Sequence, residues 1–197
     1  MKTLALFDFD GTITKKDSLF HFLRFAAGNI RFYVGLLALS PTLFGLKMGL
    51  LNAQKAKEKV IYFYLKNKAK NNLQEIARIY TLSMLNSIFR KTALERLAWH
   101  KAQGHQIYIV SASAELWLEQ WCKNEDIGLI ATKLAFENDK LLKEFASPNC
   151  NGIEKMNRIK REIDLTQFDC IFAYGDTKGD IAMLSLAQNT HFQYFKD

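Results

Sequence analysis

The sequence predicts an α/β fold, a doubly wound parallel sheet whose first crossover is expanded into an inserted, all-helical segment. Three observations lead there. Short apolar runs alternate with stretches of helical spacing at both ends of the chain, a pattern that implies a parallel sheet with helices on its faces. Residues 17–90, between the first two strand-like runs, show almost purely helical spacing. Composition is that of an ordinary globular domain: of 197 residues, 49% are hydrophobic and 24% charged, which excludes wholesale disorder and allows a core without disulfide staples.

The elements follow in order. Residues 3–9 read as a short buried strand ending in the turn-prone Asp10-Gly11. Asp17-Ser18 is an N-cap for a helix through Leu19, Phe20, Phe22, Leu23 and Phe25, stopped at Gly28. Residues 32–46 are uncharged and interrupted by Pro41, so two helices broken at Ser40-Pro41 are expected. Residues 53–70, 72–90 and 92–103 read as three more helices, the last stopped by Gly104. A strand at 106–111, a helix at 114–123 and a strand at 129–132 come next. Residues 133–136 and 141–145 flank Glu137-Asn138-Asp139-Lys140 as a hairpin. A helix at 153–163, a strand at 168–174 and a helix at 179–187 complete the pattern. This divides the chain into an α/β core of residues 1–16 and 91–197 and a helical cap of residues 17–90.

Charge is concentrated in that cap. Residues 30–72 hold eight basic side chains and the single acid Glu58, so the whole +7 surplus lies there and the rest is neutral on balance. The fifteen uncharged residues 32–46 fall short of the ~20 that span a bilayer. The leading expectation is that they pack inside the helical segment. A peripheral membrane contact, with lysines meeting anionic headgroups, is the alternative. Basic residues interleave with Tyr62, Phe63 and Tyr64, but no nucleic-acid signature accompanies them, so no nucleic-acid partner is expected.

Four features sit at strand ends or helix starts: Asp8-Phe9-Asp10-Gly11-Thr12, Ser111, Lys155 after Gly152, and Gly175-Asp176-Thr177-Lys178-Gly179-Asp180. In an open parallel sheet the carboxyl ends of the strands line the ligand crevice, so these can converge across the chain. Crowded carboxylates of Asp8, Asp10, Asp176 and Asp180 require a cation, and hard oxygen ligands suit Mg²⁺. A carboxylate can act as nucleophile, as in enzymes that form an aspartyl-phosphate. A second carboxylate two residues on can exchange a proton with the leaving oxygen. A lysine and a serine hydroxyl, with neighbouring backbone N–H groups, suit phosphate oxygens.

These motifs, Phe7-Asp8-Phe9-Asp10-Gly11-Thr12-Ile13-Thr14 and Gly175 to Asp180 with Ser111 and Lys155 between them, resemble those of the haloacid dehalogenase (HAD) superfamily of phosphohydrolases. The likeness is to the subgroup with a helical cap after the first motif and a Rossmann-like core. The resemblance implies Asp8 as nucleophile and Asp10 as general acid/base. It implies Mg²⁺ bound by Asp8, the Asp10 carbonyl, Asp176 and Asp180. Ser111, Lys155, Phe9, Asp10 and Ala112 are the implied phosphate-binding positions, with Lys160 and Lys178 as lysines that compete with Lys155. Phosphoserine phosphatases of this subgroup carry an early acidic cap residue. Here residues 18–25 hold no acid, and the apolar, basic stretch is similar to the phosphatidylglycerophosphate phosphatase branch. The expected activity is therefore Mg²⁺-dependent hydrolysis of a small organic phosphate or a lipid phosphate. An amino-acid phosphate is the alternative substrate; a receiver-like domain or a non-catalytic membrane adaptor are alternatives of another class.

The remaining chemistry-bearing residues are expected to be ordinary. The four histidines show no ligand spacing, although His21 can face the site from the cap. Trp99, Trp117 and Trp121 read as packing anchors, Met48 as core filling, and Cys122 as an inert thiol. Three cysteines without Cys-x-x-Cys spacing argue for a reducing compartment. The expected location is cytoplasmic, membrane-associated if the basic cap meets a bilayer.

Overall fold

The computed structural model describes residues 1–195. Its centre is β1 (Thr3–Phe7), buried along its whole length as expected of a strand covered on both faces. Side chains alternate across it: Leu4 and Leu6 join one apolar core, Ala5 and Phe7 the other. The sheet order is β3-β2-β1-β6-β7, with β2 (Gln106–Ala114), β3 (Gly128–Thr132), β6 (Cys170–Gly175) and β7 (Asn189–Phe192) all parallel. The chain leaves β1 toward β2 and β3 on one side and returns to β6 and β7 on the other. A doubly wound sheet opens its ligand crevice where the order reverses.

Register decides what meets in that crevice. Phe7 pairs with Ile109 of β2 and with Tyr174 of β6. Asp8, one residue beyond Phe7, and Ser111 and Asp176, two beyond Ile109 and Tyr174, therefore emerge at one lip. The edge strand β7 lies beyond the expected elements because residues 189–192, half of them exposed, lack an apolar run.

Between β1 and β2 the chain is helical: α1 (Ser18–Ala27), α2 (Asn29–Lys47), α3 (Ala53–Leu65), α4 (Lys70–Ser83), a 3-10 turn at Leu85–Ile88 and α5 (Lys91–Ala102). Asp17 caps α1 by accepting from the N–H groups of Leu19 and Phe20, and Gly28 at φ +80° stops it. Phe22 of α1 stacks on Trp117 at 4.9 Å and fixes the helices to α6 (Glu115–Asn124). Trp117 and Trp121 are buried, whereas Trp99 is partly exposed.

The expected break at Ser40-Pro41 does not occur; α2 is one helix of 19 residues. Pro41 removes the N–H that would bond the carbonyl of Leu37. The Ser40 hydroxyl donates to that carbonyl instead, at 2.7 Å, so the helix continues. Nor is α2 wholly packed. Phe32, Gly35, Leu39, Thr42 and Gly45 face inward, while Ile30, Val34, Leu37, Phe44 and Met48 form an exposed apolar stripe. Met48 is thus not core filling.

The remaining elements are the antiparallel hairpin β4 (Leu134–Glu137) and β5 (Lys140–Phe145), α7 (Ile153–Glu162) and the short α8 (Ile181–Leu184). The hairpin turns through Asn138 and Asp139, both at positive φ, the conformation a two-residue primed turn requires.

A buried aromatic and histidine network ties α5 to β6. Arg96 Nε donates to the Tyr174 hydroxyl at 2.7 Å, and His100 Nε2 lies 3.0 Å from it. On its other side, His100 Nδ1 lies 2.7 Å from His105 Nδ1. Burial, helped by Arg96, pushes His100 down to about 3 and also lowers His105 and His191. These rings are neutral when folded, while an unfolded histidine protonates near its ordinary value. Their contribution is therefore present above about pH 6.5 and lost as pH falls toward the folded value. Urea denaturation across pH 7 to 4 is expected to show falling stability, with a shallower slope in His100→Gln.

Candidate active site

Asp8 is the first residue past β1. Its N–H donates to the Tyr174 carbonyl at 2.9 Å, extending the β1–β6 ladder by one rung and fixing its carboxylate, 6% exposed, at the lip of the sheet. The chain then turns sharply at Gly11, φ +86°. A Cβ there would collide with the Asp176 carboxylate, so the site needs glycine for space as well as conformation. Thr12 Oγ1 donates to Asp176 Oδ1 at 3.1 Å, joining the first turn to the residue that follows β6.

Asp180 is held through both oxygens. Oδ2 accepts from the Thr177 N–H at 2.9 Å, the Thr177 hydroxyl at 2.9 Å and the Asp176 N–H at 3.1 Å. Oδ1 accepts from Lys155 Nζ at 2.6 Å. The same ammonium donates to Asp8 Oδ1 at 2.5 Å. Lys155 is on the first turn of α7 and is 1% exposed. Of the three lysines considered, it is the one placed here; Lys160 and Lys178 are exposed. One oxygen from each of Asp8, Asp176 and Asp180 lies within 4.8 Å of the others, a set of hard donors that fits Mg²⁺.

Asp10 stands apart from that set. Its Oδ1 accepts from the Ser18 N–H at 2.6 Å and its Oδ2 from the Ser113 hydroxyl at 2.5 Å. Ser18 and Ser113 hydroxyls lie 3.0 Å apart, and Trp117 Nε1 donates to Ser18 Oγ at 3.1 Å. Ser111 is 1% exposed, and its hydroxyl accepts from the Ser113 N–H at 3.0 Å. Phe9 places its ring in the core against Phe89 and Trp121, so its backbone alone can meet a ligand. The Ala112 carbonyl accepts from Thr132 Oγ1 at 2.7 Å and from Lys57 Nζ at 3.0 Å.

Electrostatics separate the carboxylates. Burial pushes Asp8 up to about 7 against the pull of Lys155. Burial also raises Asp10, with the Asp17 charge adding to it and the two serine bonds opposing, and burial raises Asp176. For Asp180 burial works upward, but the charge and hydrogen bond of Lys155 outweigh it and hold the carboxyl below its ordinary range. Lys155 is raised despite burial, because Asp8 and Asp180 flank it. Cys122 is raised by burial and stays a thiol, and His21 is occupied by the Tyr80 hydroxyl at 3.0 Å.

Ser18, Ser113 and Lys57 are site residues that sequence reasoning passed over, Ser18 having been read only as part of a helix cap. Ser113 lies two positions from the singled-out Ser111, a signal that was available. Lys57 gave none, since nothing local distinguishes it from the other lysines of its stretch.

The model of the family "haloacid dehalogenase-like hydrolase" matches residues 5–185. The chain belongs to this family. The curated Protein CicA of Caulobacter vibrioides is 32% identical over 195 residues, 98% of this chain and 86% of that protein. Among solved structures, a Bordetella pertussis Tohama I protein of unknown function superposes with a TM-score of 0.84 at 18% identity, covering 96% of this chain and 89% of the other. A substrate-bound phosphoserine phosphatase complex superposes with a TM-score of 0.68 at 17% identity, covering 98% and 86%. The fold is thus the HAD α/β fold, with a parallel sheet flanked by helices.

Removing one partner of a buried ion pair strands the other charge. Lys155→Met leaves Asp8 and Asp180 facing each other, and is expected to cost about 3–5 kcal/mol. Urea unfolding at pH 8 checks the loss against wild type.

Proposed function

We propose that the protein is a Mg²⁺-dependent phosphomonoester hydrolase that works through a phosphorylated Asp8. The observation that carries this reading is the contrast between two carboxylates two residues apart. Asp8 is ion-paired to Lys155, whereas Asp10 is held by Ser18 and Ser113 in a buried setting that favours its protonated form. One is set up to attack and the other to deliver a proton.

In the proposed sequence an Asp8 oxygen attacks phosphorus as the ester P–O bond breaks, and Asp10 gives its proton to the departing alkoxide, which leaves as an alcohol. Asp10, now a carboxylate, takes a proton from a water that attacks the phospho-Asp8. The new P–O bond to water forms, the bond to Asp8 breaks, and inorganic phosphate departs. Ser111, the N–H groups of Phe9, Asp10 and Ala112, and Lys155 hold the phosphoryl oxygens. Asp8, Asp176 and Asp180, with the Asp10 carbonyl, are the residues that would hold Mg²⁺. When bound, a divalent cation supplies positive charge that keeps Asp8 ionised despite its burial. The helical segment, residues 17–90, serves as the cap over this crevice, with residues 1–16 and 91–197 as the core.

Purified protein is expected to hydrolyse 4-nitrophenyl phosphate with Mg²⁺ and to lose activity with EDTA. Asp8→Asn is expected to abolish turnover, and Asp10→Asn to lower kcat by about 10²–10⁴-fold. Undiminished hydrolysis by Asp8→Asn overturns the reading.

The substrate class includes lipid phosphates if the cap rests on an anionic bilayer. The observation favouring this is the exposed stripe of α2, Ile30, Val34, Leu37, Phe44 and Met48. It lies in a stretch with no acidic residue between Asp17 and Glu58. An apolar face rimmed by cations is what interfacial binding requires. Sedimentation with phosphatidylglycerol vesicles is expected, weakened by salt and abolished by Leu37→Asp with Phe44→Asp. Failure to sediment sinks the membrane contact and leaves the hydrolase reading intact.

A further inference from the structure

A cavity of about 220 Å³ opens beside the catalytic crevice, between α1, α2, α3 and the end of β2. Its walls divide by chemistry. Leu19, Phe20, Leu43, Leu46 and Val60 make one side apolar, contributed by three helices. The polar lining is Asp17, Lys57, Ala112, Asn149 and Asn151, with Lys57 donating to the Ala112 carbonyl and the Asn149 side chain and the Asp17 carboxylate accepting from the first N–H groups of α1. Ala112 lies between Ser111 and Ser113, and Ser113 holds Asp10. The polar end therefore abuts the place where a phosphoryl group would sit.

Lys57 is the side chain whose position asks for a ligand. It comes from α3, across the crevice from Lys155, and its half-buried ammonium donates to Ala112 O at 3.0 Å and Asn149 Oδ1 at 3.4 Å. An ammonium has three N–H donors. Neither partner is anionic, and Lys57 forms no ion pair among the described residues. Burial lowers its proton affinity, opposed by the charges of Asp10, Asp17 and Asp8 nearby. Lys155, by contrast, is already neutralised by two carboxylates. An incoming phosphomonoester carries up to two negative charges, and Lys57 is a cation beside the crevice that can meet them together with Lys155.

We propose that this cavity selects the leaving group, so that the preferred substrate is a phosphomonoester of an apolar alcohol, its chain against Leu43 and Leu46 and its phosphoryl end against Lys57. The inference rests on the hydrolase reading for its consequence in turnover, but the binding it describes can be measured without turnover. The apolar chain comes either from a free alkyl phosphate or from a lipid that presents its phosphate at a membrane, and the two sources share the chemistry recognised here. At roughly 30 Å³ per water in the liquid, the cavity displaces several waters when filled, and each buried methylene tightens binding about fourfold.

The test is calorimetric titration, in Mg²⁺ buffer, of the whole protein with non-hydrolysable ethyl, butyl and hexyl phosphonates. Affinity is expected to rise about fourfold per methylene at first and to level off when the cavity is full. Leu46→Asn, at a half-exposed position that tolerates change, is expected to flatten this dependence; Leu43→Asn is the second variant. Lys57→Met is expected to weaken every member by the same factor and keep the slope, and Lys57→Arg to restore part of the loss. Equal affinity along the series, or a slope unaltered in both leucine variants, overturns the proposal. Competition of the hexyl phosphonate by vesicles containing phosphatidic acid, against vesicles without it, separates the lipid source from the free one. Chain-length dependence in a protein that hydrolyses no phosphomonoester would leave the cavity assignment standing and remove the hydrolase reading. Hydrolysis of 4-nitrophenyl phosphate with a flat series would do the reverse.

Discussion

The buried ammonium of Lys155 is what allows this site to exist. Asp8, Asp176 and Asp180 come from the ends of β1 and β6 and offer oxygens within 4.8 Å of one another. Three desolvated carboxylates at that spacing repel, and each alone would protonate. Lys155 bonds two of them at once. A lysine withdrawn from water is itself unfavourable without such partners, so neither side of the arrangement is stable without the other. The ion cluster ties α7 to the lip of the central strands, and the cost of assembling it is offset by the packed layers beneath.

Those layers deliver the geometry. The pairing of Phe7 with both Ile109 and Tyr174 aligns three strand ends to within a residue. Gly11 then removes the side chain that would collide with Asp176. From there, small differences in hydrogen bonding separate neighbours in sequence. Asp8 meets an ammonium, while Asp10, two residues later, meets a backbone N–H and a hydroxyl. The same chain turn yields two buried carboxyl groups with different partners, an ammonium for Asp8 and neutral donors for Asp10, and the proposed division between nucleophile and acid rests on that.

The helical segment has a different physical logic. Its longest helix is apolar on two opposite faces, as a fully buried helix would be, yet only one of them is covered. The inner face, Phe32, Leu39 and Thr42, packs; the outer stripe meets solvent. Near its end the same helix lends Leu43 and Leu46 to the cavity beside the crevice. The exposed stripe and one wall of the cavity thus belong to the same helix, and the proposed preference for apolar phosphate esters gives both one chemistry.

Much of this was legible in the sequence, and for a local reason. Apolar runs, caps and turns are set by neighbouring residues, so the strands, the hairpin at Asn138-Asp139 and the cap at Asp17 could be read directly. Asp8, Asp176, Asp180 and Lys155 could be singled out because they sit at strand ends or helix starts, where a parallel sheet must gather its ligands. What could not be read depends on partners far along the chain or on competing local effects. Pro41 signalled a break, but the Ser40 hydroxyl satisfied the stranded carbonyl. The outward stripe of α2 read as core because hydrophobicity alone does not say which face is covered. Ser113 and Lys57 acquired their places through contacts 103 and 55 positions away. The sequence by itself determined four of the five sheet strands, the order of elements along the chain and the acids at the sheet's edge; only the tertiary structure decided which cation neutralises which acid, because that choice is made by distance in space.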